Sequence, residues 1–382
     1  VLIGFLDNGQ KCTLIGPFDF SESGIRMGNV FTRYGNHAFR FLIIGDFVRL
    51  DELYSNSCFT FTHMQEFFYP QGWINNVEYR EGVIEKVECT GWKLEVQNKA
   101  TFRSVAHNLK NLLYSRDKSL VREIVASVDS ILEKADSNHL LLRDSLEFLF
   151  KYESTEELDI NSMYDALYKI TSLFSIFMNV PVLPDEVILG NSEKTSVNIL
   201  AAHTLEARTV KLVKSEPSYN FMPFNRSSVD LTKSLIKWFD LYDSYRVLST
   251  TFQYETNFKT LHSAYSDIIL YLSNVEAIAI DLGTHKTSKY LSAIEKYASP
   301  ILIKSLENIF KKVNSSGLGT NLSDIRGELA HEGRPKKLMH KLSIGDYVEI
   351  SSLLKLIVVS HLLSKLGFKE NSIHTYQVKL IR

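Results

Sequence analysis

The segment of this 382-residue chain best suited to chemistry is "GTNLSDIRGELAHEGRPKKLMHK", residues 319–341. It sets Arg326 five positions before His331, then adds Arg334, Lys336, Lys337, His340 and Lys341, the densest basic run in the chain. Histidine titrates nearest neutral pH, so it can take up and return a proton. Arginine offers a planar, permanently charged fork to phosphate oxygens. RNA scission without a metal requires just such a pair: an acceptor for the 2′-hydroxyl proton and a cation facing the charge of the transition state. The basic residues that follow suit a phosphate backbone, which such side chains position without reading its sequence.

The spacing predicts a short helix here. Asn321 with Asp324 three residues on resembles a capping start, and Gly333 and Pro335 stop the helix. Leu322, Ile325 and Leu329 form its apolar stripe. At about 100° per residue, Arg326 falls near the edge of that stripe and His331 almost opposite it. The two therefore share no face of a continuous helix. They converge on one phosphate if the helix ends between them, or if a partner chain supplies the second pair. Glu328 and Asp324 are candidates to orient the pair. A solvated helix end reads the same way, since cationic side chains favour the negative end of the helix dipole.

Long helices must carry this segment. Phe258, Leu261, Tyr265, Ile268, Leu272, Val275, Ala279 and Leu282 alternate steps of three and four, with Gly283 as a C-cap. Leu231, Leu235, Trp238, Phe239, Tyr242 and Tyr245 mark an earlier helix, and Val348 to Leu366 a late one ending near Gly367. With the segment around Leu291–Phe310, residues 227–382 read as a bundle of four or five helices. Residues 1–103 read as β-rich, a sandwich or a strongly bent sheet, from "KCTLIGPFDF", "AFRFLIIGDFV", "CFTFTHMQEFFY" and "GVIEKVECTGWKLEV", with Gly91 a candidate bulge. Residues 104–226 are mixed: a helix around Leu109–Leu132, a strand in "LEFLFKY", and a helix capped by Asp159 and ended by Pro181. "VNILAAHTLEARTVKLV" fits strand or helix, and "KSEPSYNFMPFNRSS" reads as a linker. The fold class expected is a multidomain α+β chain.

Composition narrows the partners. Lys plus Arg is 43 against 44 Asp plus Glu, so nucleic-acid contact must come from a local basic patch. Cys12, Cys58 and Cys89 lie far apart without a CxxC, which offers neither a disulfide framework nor a zinc site and suits a reducing cytoplasm. "LLKLIVVSHLL" is broken by Lys355 and His361 and is too short to span a bilayer, so no membrane association is expected. There is no GxxxxGK[ST] or GxGxxG for a phosphate loop, and His262, His285 and His361 form no HxxxH. Phe59, Phe61, Phe67, Phe68 and Tyr69 either stack bases or fill a core, and the core reading is favoured. Glu276 and Asp281 read as an ordinary solvated face.

Arg326, four intervening residues and His331 resemble the Arg-x4–6-His motif of HEPN ribonucleases. The run "LIKWFDLYDSYRVLSTTFQYETNFKTLHSAYSDIILYLSNVEAIA" and the later "IRGELAHEGRP" look like the ApeA-like branch of that family. The resemblance implies a β-rich amino-terminal domain ahead of a helical HEPN domain. It implies a homodimer in which two Arg–His pairs form one composite site that cleaves RNA, with no cofactor and no metal. It further implies a role in antiphage abortive infection. A nuclease able to cut host RNA must be restrained, so residues 1–226 are expected to sense a phage-derived partner and hold the HEPN dimer in check. Arg326 and His331 alone carry over by motif. Many HEPN nucleases place a polar residue directly after the arginine, where this chain has Gly327. The competing expectation is a HEPN scaffold that dimerises and binds RNA or a protein without cutting.

Overall fold

The computed structural model describes residues 1–18, 24–27, 30–33, 38–68, 82–104, 113–134, 141–191, 196–202, 222–254, 261–286, 288–331 and 335–381. Within these, eleven strands precede a run of helices. They are β1 (Leu2–Phe5), β2 (Lys11–Ile15), β3 (Gly24–Met27), β4 (Val30–Arg33), β5 (Phe41–Ile44), β6 (Leu53–Phe61), β7 (Gly82–Cys89), β8 (Trp92–Ser104), β9 (Leu141–Asp159), β10 (Pro184–Gly190) and β11 (Ser196–Ala201). Nine of them form one antiparallel sheet in the order β1-β2-β5-β11-β10-β6-β9-β8-β7, and β3 pairs with β4 alone. Of the two expectations, a sandwich or a bent sheet, the described strands give one large sheet with helices packed on β6, β9 and β10, and not a sandwich. It draws β9, β10 and β11 from beyond residue 104, so the stretches read as β-rich and mixed share one sheet. β11 settles the ambiguity of "VNILA" as strand, and the residues after 202 in that stretch lie outside the described ones.

Local chemistry explains the departures. Gly91, at φ +94°, sits in the two-residue turn between β7 and β8, where Cys89 pairs with Trp92. Hairpins of this length favour positive φ in the loop, so this glycine serves the turn, and the register shift lies between Val83 and Glu85. The aromatic stretch after β6 turns into a short helix, α1 (Met64–Phe68), instead of extending as a strand. Phe59, Phe61, Phe67 and Phe68 are all buried. Tyr69 lies outside the described residues. α2 (Lys118–Lys134) covers only the later part of the helix expected around Leu109–Leu132: residues 113–117 are not helical, and 109–112 lie outside the described residues.

α3 (Ile160–Met178) is capped as expected: Asp159 Oδ1 accepts from the backbone N–H of Asn161 at 2.8 Å and of Ser162 at 2.9 Å. It ends two residues before Pro181, at Asn179 in the left-handed region. One face lies on the sheet, with the Phe174 ring 4.4 Å from that of Phe61, tilted against it, and edge-on to Phe150. The other meets α4 (Leu231–Tyr254), where Trp238 Nε1 donates to Lys169 O at 2.7 Å. Being buried on two sides, α3 joins sheet and bundle into one core.

Six further helices complete the bundle: α5 (Leu261–Asp281), α6 (Leu291–Tyr297), α7 (Pro300–Lys312), α8 (Leu318–Ala330), α9 (Ile344–Leu366) and α10 (Glu370–Leu380). The bundle thus has more helices than expected. Ser299, whose side chain caps α7, and Pro300 at its first position split the 291–310 segment in two. α9 is long and apolar enough to cross a membrane by length and composition, but most of it is buried within the protein. It packs chiefly against α5, and even Lys355 and His361 are covered.

Candidate active site

α8 carries the Arg–His pair. It begins at Leu318, after Gly317 at φ +89°, a backbone that favours glycine. Asn321 therefore lies inside the helix and does not start it. Its side chain is buried, and its Oδ1 accepts from Ser315 Oγ at 2.7 Å. Leu322 and Ile325 are fully buried and Leu329 partly so, which matches the stripe read from the sequence. The helix ends at Ala330, and His331 adopts an extended backbone at φ −130°, ψ 109°. The break thus falls between Arg326 and His331, ahead of both Gly333 and Pro335. The His331 side chain is exposed, and among the described residues no hydrogen bond or ion pair joins it to Arg326.

Arg326 is half-buried and held from another helix. Its Nη2 lies 3.7 Å from Glu276 Oε2 on α5, while Glu276 Oε1 takes His285 Nε2 and Lys289 Nζ, each at 2.9 Å. Burial tends to raise the Glu276 carboxyl, but hydrogen bonds from Lys289 and His285 and the charges of Lys289 and Arg326 outweigh it. The carboxyl is held below its ordinary range. Glu276 is thus the partner of the motif arginine and not the solvated acid expected. Nothing in linear spacing links Arg326 to positions 276, 285 and 289, because they come from other parts of the chain. Asp281 does face outward, 3.7 Å from Lys365.

Glu328 has a different role from the one expected. It is almost wholly buried, and its carboxylate accepts backbone N–H bonds from Lys337 at 3.0 Å, Leu338 at 3.1 Å and Met339 at 2.9 Å. It therefore orients the basic turn instead of the Arg–His pair. Tyr347 on α9 adds an O–H bond to Met339 O at 2.9 Å. Lys336 Nζ donates to the backbone carbonyls of Glu328 and His331, capping the end of α8. Lys337, His340 and Lys341 are exposed on the anchored turn, and Arg334 lies outside the described residues. Asp324 is half-buried and, among the described residues, pairs with neither Arg326 nor His331. The three helical histidines are dispersed: His262 is exposed, His285 sits on Glu276, and His361 is buried beside Tyr245.

A family model described as ApeA N-terminal domain 1 matches residues 1–238, and one described as Apea-like HEPN matches residues 240–372. No curated protein and no solved structure matches the chain. The first match takes in the whole sheet and α3, and the second takes in α8 with its Arg–His pair and the central α9. With both models meeting inside α4, the chain belongs to the ApeA-like HEPN family.

Proposed function

We propose that this protein is a metal-independent endoribonuclease acting in antiphage abortive-infection defence. The observation that carries the reading is the end of α8 at Ala330, between Arg326 and His331. It frees the histidine from the helical face that would hold it apart from the arginine, and leaves it exposed beside an anchored basic turn. In this reading His331 accepts the 2′-hydroxyl proton, and the 2′-oxygen attacks the neighbouring phosphorus. Arg326 faces the charge that develops on the phosphate oxygens. The bond to the 5′-oxygen breaks and that oxygen takes a proton from an imidazolium, which a second copy of the chain supplies in a composite dimer site. The products carry 2′,3′-cyclic phosphate and 5′-hydroxyl ends. The exposed Lys337, His340 and Lys341, together with Arg334, position the RNA backbone. The sheet-bearing half restrains the dimer until it meets a phage-derived protein.

The second reading, a HEPN scaffold that binds without cutting, is favoured by buried Gly327 in place of a polar residue after the arginine. Incubation of the purified chain with RNA in EDTA separates the two. Cleavage with cyclic-phosphate ends is expected. Arg326→Ala should lower the rate by on the order of a hundredfold or more, as for loss of one well-placed donor to the transition state. His331→Ala should lower it about 10²–10⁴-fold. Cleavage that persists in His331→Ala, or that needs Mg²⁺, would sink the ribonuclease assignment to this helix.

A further inference from the structure

Arg326 and three further side chains, drawn from three parts of the chain, meet in one place. Glu276 comes from α5, His285 and Lys289 from the connection to α6, and Arg326 from α8. One carboxylate serves all three nitrogen-bearing partners: His285 Nε2 and Lys289 Nζ lie 2.9 Å from Oε1, and Arg326 Nη2 lies 3.7 Å from Oε2. The balance of charge is uneven. A guanidinium, an ammonium and an imidazole face a single carboxylate, and Lys286 is exposed on the same connection.

Exposure and geometry show which groups remain available. His285 and Lys289 keep 38% of their side-chain surface and Arg326 34%, against 20% for Glu276. A separation of 3.7 Å is a charge contact beyond hydrogen-bond length, so Glu276 does not consume the guanidinium donors. Arg326 Nε is buried with no acceptor among the described residues. A carboxylate oxygen taking two N–H donors at 2.9 Å meets them much as a phosphate oxygen would. We propose that His285 and Lys289, beside Arg326, form a second phosphate contact of the RNA site. It receives the backbone phosphate next to the one being cleaved, in competition with the carboxylate of Glu276. The proposal rests on the ribonuclease reading above.

The test uses the full chain and a single-stranded RNA oligonucleotide with 2′-O-methyl groups, which binds but cannot be cut. Affinity is measured across a salt series. Lys289→Ala should weaken binding several-fold and reduce the salt slope by roughly 0.7, the share of one phosphate contact on a single strand. Lys289→Arg should restore both, and His285→Gln should weaken binding. Glu276→Gln should tighten binding, because a competing negative charge is gone. A carboxylate that merely braces the fold would give unchanged or weaker binding on that substitution. If the unaltered chain fails to bind the oligonucleotide, the ribonuclease reading falls and takes this site with it. If it binds, and Arg326→Ala weakens it while Lys289→Ala, His285→Gln and Glu276→Gln leave affinity and salt slope unchanged, the second contact alone is wrong.

Discussion

The carboxylate of Glu328 anchors the turn that follows its own helix. Two places after Arg326, it is a natural companion of the motif, yet it points into the protein and collects the N–H groups of Lys337, Leu338 and Met339. A buried donor left without an acceptor costs about 1–3 kcal/mol. Glu328→Ala should therefore destabilise the protein by on the order of 3 kcal/mol or more, measured by denaturant unfolding. Glu328→Gln should fall between, since its amide keeps one accepting oxygen. The neighbouring lysines should separate in the same experiment. Lys336→Ala removes the cap on Glu328 O and His331 O and should lower the melting temperature. Lys337→Ala, which is exposed, should leave melting unchanged and only weaken RNA binding and its salt dependence. Equal thermal effects of the two lysines would contradict this division of labour.

The long helix α9 buries two polar side chains, Lys355 and His361. Lys355 places its ammonium 4.9 Å from the centre of the Phe252 ring, and His361 Nε2 lies 3.1 Å from the Tyr245 hydroxyl. Burial, with a further push from Lys365, brings the His361 imidazole down to about 4 from its ordinary 6.5. Between those values the unfolded chain binds a proton that the folded chain refuses. Stability from this site is thus present above pH 6.5 and is lost as pH falls toward 4. The slope approaches about 1.4 kcal/mol per pH unit within that window. Unfolding free energies taken between pH 7 and pH 5 should decline with acid. His361→Gln should decline less steeply, and identical slopes would show that this histidine does not titrate on unfolding.

The whole molecule joins its two halves through contacts, not through a loose tether. Arg226 Nη2 lies 2.6 Å from Glu85 Oε2 on β7, Thr232 donates to Glu85 Oε1 at 3.4 Å, and Trp92 on β8 stacks 4.0 Å from Phe239 on α4. A fragment starting near Val229 would uncover Leu231, Leu235 and Trp238, so cutting the chain tests restraint poorly. Loosening the join within the intact chain is cleaner. Arg226→Ala or Glu85→Gln should raise RNA cleavage and toxicity in cells if the sheet holds the helices in check. Unchanged toxicity with a preserved fold would count against restraint through this contact. Assembly has its own test. Light scattering at micromolar concentration should give a dimer, and a fully active monomer would exclude a composite site.

Patterns local to the chain were determined by sequence. The period of α4, α5 and α9, the Asp159 cap, the glycine ends at Gly283 and Gly367, and the Arg326–His331 spacing all depend on neighbours within a few residues. The aromatic run from Phe59 to Phe68 likewise announced its burial, though not its turn into a helix. Tertiary structure alone decided what depends on residues distant in sequence. The sheet brings β11 beside β5 and β10 beside β6, pairings that no local period encodes. The start of α8 at Leu318 follows from Gly317 and from burial of Asn321, which overrides the capping pattern. Glu276 meets Arg326, and Glu328 meets the basic turn, because packing brings α5, α8 and the following turn together. Charges that look solvated in one dimension find their partners only when the elements that carry them pack.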